Sequence, residues 1–263
     1  MSRALVLAGH GSHLDANASV PLWEHAARIR ALGAFDEVRV ATWKEEPSLS
    51  HALDGLTSGD ITVVPVFISA GYFVEEVVPR EMGLCGAVTV RDGHTIRYTA
   101  PVGSHPRLAQ VVIERAREAG WQPGETLAIL GHGTARNPRS EANVYAQADH
   151  LRRLLQSDTQ PPPLPSQRER GNSYPRGEGT LTLFLEQDPN IRDLLALRSA
   201  PAITIVPLFI ADGWHVGQSI PADLSLDGPE TRRGGRVVRY ARAVGTHPFV
   251  TDVILELANE VAR

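Results

Sequence analysis

The sequence predicts an α/β chain of two tandem flavodoxin-like halves, each a three-layer domain around a small parallel sheet, and three observations carry the prediction. A segment near the start returns once in the second half. Within each half, apolar runs of strand length alternate with helical patterns. That alternation implies parallel strands joined by right-handed helical crossovers, an open sheet covered on both faces.

The repeat is explicit. Leu7-Ala8-Gly9-His10-Gly11-Ser12 returns 122 positions later as Ile129-Leu130-Gly131-His132-Gly133-Thr134. Val64 to Val74 returns 142 positions later as Val206 to Val216, and the same spacing relates Pro47 to Pro189, Pro79 to Pro221, Arg97-Tyr98 to Arg239-Tyr240 and Val102-Gly103-Ser104-His105-Pro106 to Val244-Gly245-Thr246-His247-Pro248. Self-similarity at this density marks two copies of one unit. The units divide as 1–121 and 122–263, joined by the turn-rich Gly120-Trp121-Gln122-Pro123-Gly124, a spacer short enough that the halves should pack face to face. The surplus in the second half falls at about 157–180, where Pro161-Pro162-Pro163-Leu164-Pro165 leads into Arg168 to Asn172 without an apolar period; this reads as a disordered surface loop.

In order along the first half, strands are expected at about Ala4–Ala8, Val38–Thr42, Ile61–Phe67 and Ile96–Thr99, with helices between them. A further helix should begin at Pro106, where the fixed φ of proline suits the first turn, and bury Leu108, Val111, Val112 and Ala116. In the second half His132 ends the first strand, Glu186 ends the second (Leu181–Glu186) and His215 follows the third.

Composition narrows the function. A formal charge of −4 and a pI near 6.2 supply no basic field for nucleic acid or an anionic membrane. No apolar run approaches the roughly 20 residues that span a bilayer. The single cysteine, Cys85, leaves neither an internal disulfide nor a four-thiolate iron–sulfur cluster, and the chain reads as a reduced, cytoplasmic protein. Lys44 is the only lysine among the 26 basic residues.

In open α/β sheets, ligands bind beyond the carboxyl ends of the strands. His132, Glu186 and His215 stand at three such ends, and two imidazoles with one carboxylate suit a borderline divalent ion such as cobalt, nickel or iron. The corresponding positions of the first half are His10, Lys44 and Phe73. A lysine repels a cation and phenylalanine cannot ligate one, so the first half has lost this chemistry; of the set only His10 remains there, a candidate for binding the substrate. His105 and His247 precede helix-starting prolines and suit turn or packing roles; His13, His25, His51, His94 and His150 are expected at the surface.

Both halves resemble the CbiX family of class II chelatases. In the second half the resemblance rests on Gly131-His132-Gly133-Thr134, Phe184-Leu185-Glu186, the stretch Val206 to Pro221 and the closing Val244-Gly245-Thr246-His247-Pro248. It implies a two-lobed chelatase-type fold, with a tetrapyrrole in the cleft between lobes, and insertion of a divalent metal into sirohydrochlorin in cobalamin or siroheme biosynthesis: Co²⁺ first, with Fe²⁺ or Ni²⁺ insertion as the alternative. His132, His215 and Glu186 would then be the catalytic and metal-holding residues. Phe73 departs from the histidine pair that long members can carry in the first half.

Such a substrate is a polycarboxylate, so Thr134, Arg136 and Arg139, near a helix start, are candidates to hold its carboxylates, and Trp214, like Tyr72, to stack on the ring. Sirohydrochlorin, a metal chaperone and neighbouring pathway enzymes are the partners this implies. A noncatalytic metal- or tetrapyrrole-binding protein is the rival of a different class. A histidine phosphatase is disfavoured, because Ala8-Gly9-His10-Gly11 lacks the arginine expected before the histidine.

Overall fold

A computed structural model of the protein describes residues 2–15, 17–134, 138–157, 179–194 and 200–262. The proline-rich insertion lies almost wholly outside the described residues, as does Arg136. The first half holds β1 (Arg3–Gly9), β2 (Glu37–Thr42), β3 (Asp60–Pro65), β4 (Val88–Arg91) and β5 (His94–Tyr98), in the spatial order β2-β1-β3-β5-β4. The second repeats it with β6 (Thr126–Gly131), β7 (Thr180–Phe184), β8 (Ala202–Pro207), β9 (Glu230–Arg233) and β10 (Arg236–Tyr240), ordered β7-β6-β8-β10-β9. The central strands pair in parallel, and β6 and β8 are buried along their whole length, as strands covered on both faces must be.

Each sheet gains an edge strand beyond the four expected. The pairs β4·β5 and β9·β10 are antiparallel hairpins closed by two residues with positive φ, Asp92 (51°) and Gly93 (79°) in one, Gly234 (57°) and Gly235 (77°) in the other. Positive φ at both central residues is the type I′ turn, whose twist matches that of the flanking strands.

The helices are α1 (Val20–Leu32), α2 (Val78–Met82), α3 (Leu108–Glu118), α4 (Pro138–Ser157), α5 (Ile220–Asp223) and α6 (Val250–Glu260). Helix α3 starts two residues after Pro106 and buries Leu108, Val111, Val112 and Ala116. The start is displaced because the backbone N–H of Arg107 donates to His105 Nδ1 (3.3 Å), so a side chain caps the turn. His247 accepts from Phe249 in the same way (3.2 Å).

The two halves share one apolar core. Leu7, Ile29 and Val112 of the first pack in a single cluster with Ile129, Val206 and Ile254 of the second. The arrangement is an exchange: α3 packs on α4 and β8 of the second half, and α6 packs on α1 and β3 of the first. Polar contacts repeat across the pseudo-twofold. His25, expected at the surface, is fully buried; its Nε2–H donates to the Gly245 carbonyl (2.8 Å) and its Nδ1 meets Thr251 Oγ1 (2.9 Å). The counterpart of His25 at the repeat spacing of 122 is Gln147, whose Nε2 donates to the Gly103 carbonyl (2.8 Å). Gly103 and Gly245 tolerate no side chain, since a Cβ would lie 1.8 Å from the Ile68 carbonyl oxygen and 2.2 Å from that of Ile210 respectively. His105 and His247, nearly buried, turn their Nε2 atoms to Glu256 and Glu260 of α6 (3.7 and 3.6 Å) and to Glu118 of α3 (3.4 Å). The other histidines expected at the surface lie outside the core: His13 and His51 are exposed, and His94 and His150 half-buried.

Candidate active site

Three chain segments bring the second-half residues together. His132 follows the last residue of β6, and the Nδ1–H of its ring donates to the Gly133 carbonyl (2.9 Å). Because a carbonyl can only accept, Nδ1 carries the proton of the neutral ring and Nε2 keeps its lone pair. That Nε2 lies 3.8 Å from Glu186 Oε1. Glu186 sits two residues past the end of β7, its backbone N–H donating to the His132 carbonyl (3.1 Å). His215 opens a single π-turn, His215–Ser219, and its ring stands edge-on to that of His132 with centroids 5.2 Å apart. Such turns are rare and concentrate at functional sites.

The electrostatics favour ligation. Burial holds His215 below the ordinary imidazole range, the adjacent His132 adds to this, and Glu186 opposes it. His215 is therefore neutral at pH 7 and able to coordinate. Its Nδ1 is buried and, among the described residues, has no hydrogen-bond partner. Among the described residues no three His, Cys, Asp or Glu side chains already converge as a closed cation site. His132, His215 and Glu186 thus form a loose, open set.

His132 and His215 border a cleft of about 810 Å³ with walls from both halves: His10, Asp15 and Phe67 from the first, His132, Phe209 and His215 from the second. The sequence gives no hint of Asp15. Its Oδ2 accepts the backbone N–H of Trp214 (3.1 Å), bracing the His215 turn from across the cleft, and no periodicity or motif signals a contact between segments 199 residues apart.

The candidates for holding substrate carboxylates are placed as follows. The backbone N–H of Thr134 is taken up by Gln187 Oε1 (2.9 Å), as that of Ser12 is by Glu45 Oε1 (2.5 Å) in the first half. Arg139 pairs with Glu75 of the first half at the surface. Trp214 and Tyr72 are not core residues; they are 59% and 52% exposed.

In the first half the equivalent place is filled by rings. His10, its Nδ1–H on the Gly11 carbonyl (2.7 Å), meets Phe73 (4.5 Å between centroids) and Trp43 (5.4 Å), and Phe73 meets Trp43 (5.0 Å). The ammonium of Lys44 lies over the Trp43 ring, 3.6 Å from its centroid.

The family model CbiX matches residues 4–119 and 171–261. The chain belongs to the CbiX family. The second matched segment begins after the turn bearing His132, but a CbiX relative from Halobacterium salinarum, named probable sirohydrochlorin cobaltochelatase, is 37% identical over 97% of this chain and 90% of its own length. A shorter one from Methanopyrus kandleri, named sirohydrochlorin cobaltochelatase, is 30% identical over 44% of this CbiX chain and 96% of its own, so about half of the chain here matches nearly all of that protein. Among solved structures, a multi-domain Deinococcus radiodurans protein described as structurally similar to chelatases superposes with a TM-score of 0.77 at 28% identity; the match covers 98% of this chain and 54% of that one. No helix among the described residues is long and apolar enough to cross a membrane.

Proposed function

We propose that the protein is a cytoplasmic sirohydrochlorin chelatase that inserts a divalent metal, cobalt first, with the metal-handling site in the second half (122–263) and a wall without metal ligands in the first (1–121). The observation that carries this reading is the cleft itself, where His132 and His215 stand on one wall with Glu186 beside them and His10 contributes to the other. The CbiX relationship supplies the reaction class.

Insertion replaces two pyrrole N–H protons with M²⁺. The ion must shed water, meet the ring nitrogens, and two protons must leave. His132, through Nε2, and His215, kept neutral by burial, hold the incoming ion or accept those protons, and Glu186 offsets the positive charge that results. An open ligand set suits an ion that is substrate, because it has to be given up. Two nitrogens and one oxygen do not select among Co²⁺, Fe²⁺ and Ni²⁺. Trp214, exposed at the cleft rim, is placed to cover the ring, and metal chaperones or neighbouring pathway enzymes are the partners such a reaction calls for.

The test follows the absorption spectrum of anaerobic sirohydrochlorin with each of the three metals, comparing wild type with His132→Ala, His215→Ala and His10→Ala. Acceleration lost by at least about a hundredfold in the first two and retained in the third is expected. Wild type that binds the macrocycle but does not accelerate insertion of any metal would leave a binding protein instead.

A further inference from the structure

We infer that the first-half position equivalent to Glu186 is a carboxylate anchor: the Lys44 ammonium, held over the Trp43 ring, takes a side-chain carboxylate of the tetrapyrrole. This rests on the sirohydrochlorin reading and adds a residue that binds substrate without touching the metal.

The placement is fixed by the repeat. The backbone N–H of Lys44 donates to the His10 carbonyl (2.9 Å), as that of Glu186 does to the His132 carbonyl (3.1 Å). A cation thus stands where the other half holds its anion. The change is accompanied by a second, since Phe73 occupies the place of His215 and closes with His10 and Trp43 into a packed aromatic group. Phe67 stacks behind Phe73 at 6.1 Å. Neither the charge nor the donors left there suit a metal ion.

They do suit an anion. Arginines near the cleft and the interface already have carboxylates of this chain: Arg139 has Glu75, Arg242 has Asp212 and Arg107 has Glu256. Among the described residues Lys44 has none, and its recorded contact is the face of Trp43, which orients the ammonium without neutralising it. The side chain is half-buried, so its charge is less screened than one in open solvent. His10 and Phe67, which belong to the same aromatic group, line the cleft. A polycarboxylate ring whose centre lies against His132 and His215 carries its rim acids toward the first-half wall, where Trp43, with Lys44 over its face, packs against the cleft-lining His10.

Equilibrium binding of metal-free sirohydrochlorin, followed by the fluorescence of the macrocycle, tests this with wild type, Lys44→Ala and Lys44→Arg, alongside Co²⁺ insertion rates. Loss of the lysine should weaken macrocycle binding about three- to tenfold, with Arg restoring most of it. Added KCl should narrow the gap between wild type and Lys44→Ala, and kcat and the KM for Co²⁺ should not move. Lys44→Ala binding as tightly as wild type, or a matching loss in the KM for Co²⁺, overturns the anchor and leaves the chelatase reading standing. Wild type that does not bind sirohydrochlorin at all overturns both.

Discussion

At the scale of single residues, the histidines separate by what their nitrogens meet. Among the described residues His132 and His215 each keep a nitrogen without a hydrogen-bond partner, whereas His25 has both engaged across the interface. Burial lowers the pKa of His25, with the nearby Arg28 adding and the Gly245 carbonyl opposing. The unfolded state therefore binds its proton more readily than the folded state. The stability this residue contributes is complete above the unfolded value, about 6.5, and is lost as pH falls from there toward the lowered folded value. His25→Gln, which copies the residue at the pseudo-symmetric position, should make the melting temperature less sensitive between pH 7.5 and pH 5; thermal melts of the two proteins at both values check this. His247, also lowered chiefly by burial, will leave some dependence in the variant. Asp15 belongs at this scale too. Removing its carboxylate in Asp15→Ala frees the Trp214 N–H and loosens the His215 turn, so kcat should fall about three- to tenfold with sirohydrochlorin binding largely kept, and Asp15→Asn, which retains an acceptor oxygen, should recover much of the rate.

At the scale of elements, much of what the structure contains was legible. The apolar runs located the four parallel strands of the first half, because strands covered on both faces read as continuous hydrophobic stretches. The hairpins β4·β5 and β9·β10 turn at Asp92-Gly93 and Gly234-Gly235, but β4 and β9 are only four residues long and largely exposed, and β9 holds no apolar residue, so neither stood out as a strand. His25 carried a readable signal as well. Leu22, Ala26 and Ile29 mark the buried face of α1, and His25 lies within it. The π-turn at His215 had none, since a one-residue change in helical hydrogen bonding leaves no periodic trace over five residues. The short 3₁₀ turns Val102–Ser104 and Val244–Thr246, which hold Gly103 and Gly245, leave no room for a side chain at those glycines. Gly103→Ala drives a methyl into the Ile68 carbonyl and should cost about 2–4 kcal/mol, measurable by chemical denaturation.

At the scale of the molecule, the repeat predicted two similar halves and the comparison of His132, Glu186 and His215 with His10, Lys44 and Phe73 predicted their inequality. Both readings needed only one chain, because the second copy serves as a reference for the first. What the repeat could not convey was which surfaces meet. The crossing of α3 onto β8 and of α6 onto β3 depends on the direction each chain takes after its last strand, and the bracing of Trp214 by Asp15 depends in turn on that crossing. The candidate site is therefore a property of the pair, although His132, Glu186 and His215 all lie in one half.

That crossing also sets how the cleft can work. Two lobes that each lend a helix to the other's sheet have no hinge to swing on, since parting them would pull both helices from the apolar cluster that seats them. The walls behave as a fixed mould. On the proposed chelatase reading, a macrocycle enters such a mould edge first through its open mouth, and its bending is set by the shape of the walls and not by jaws that close.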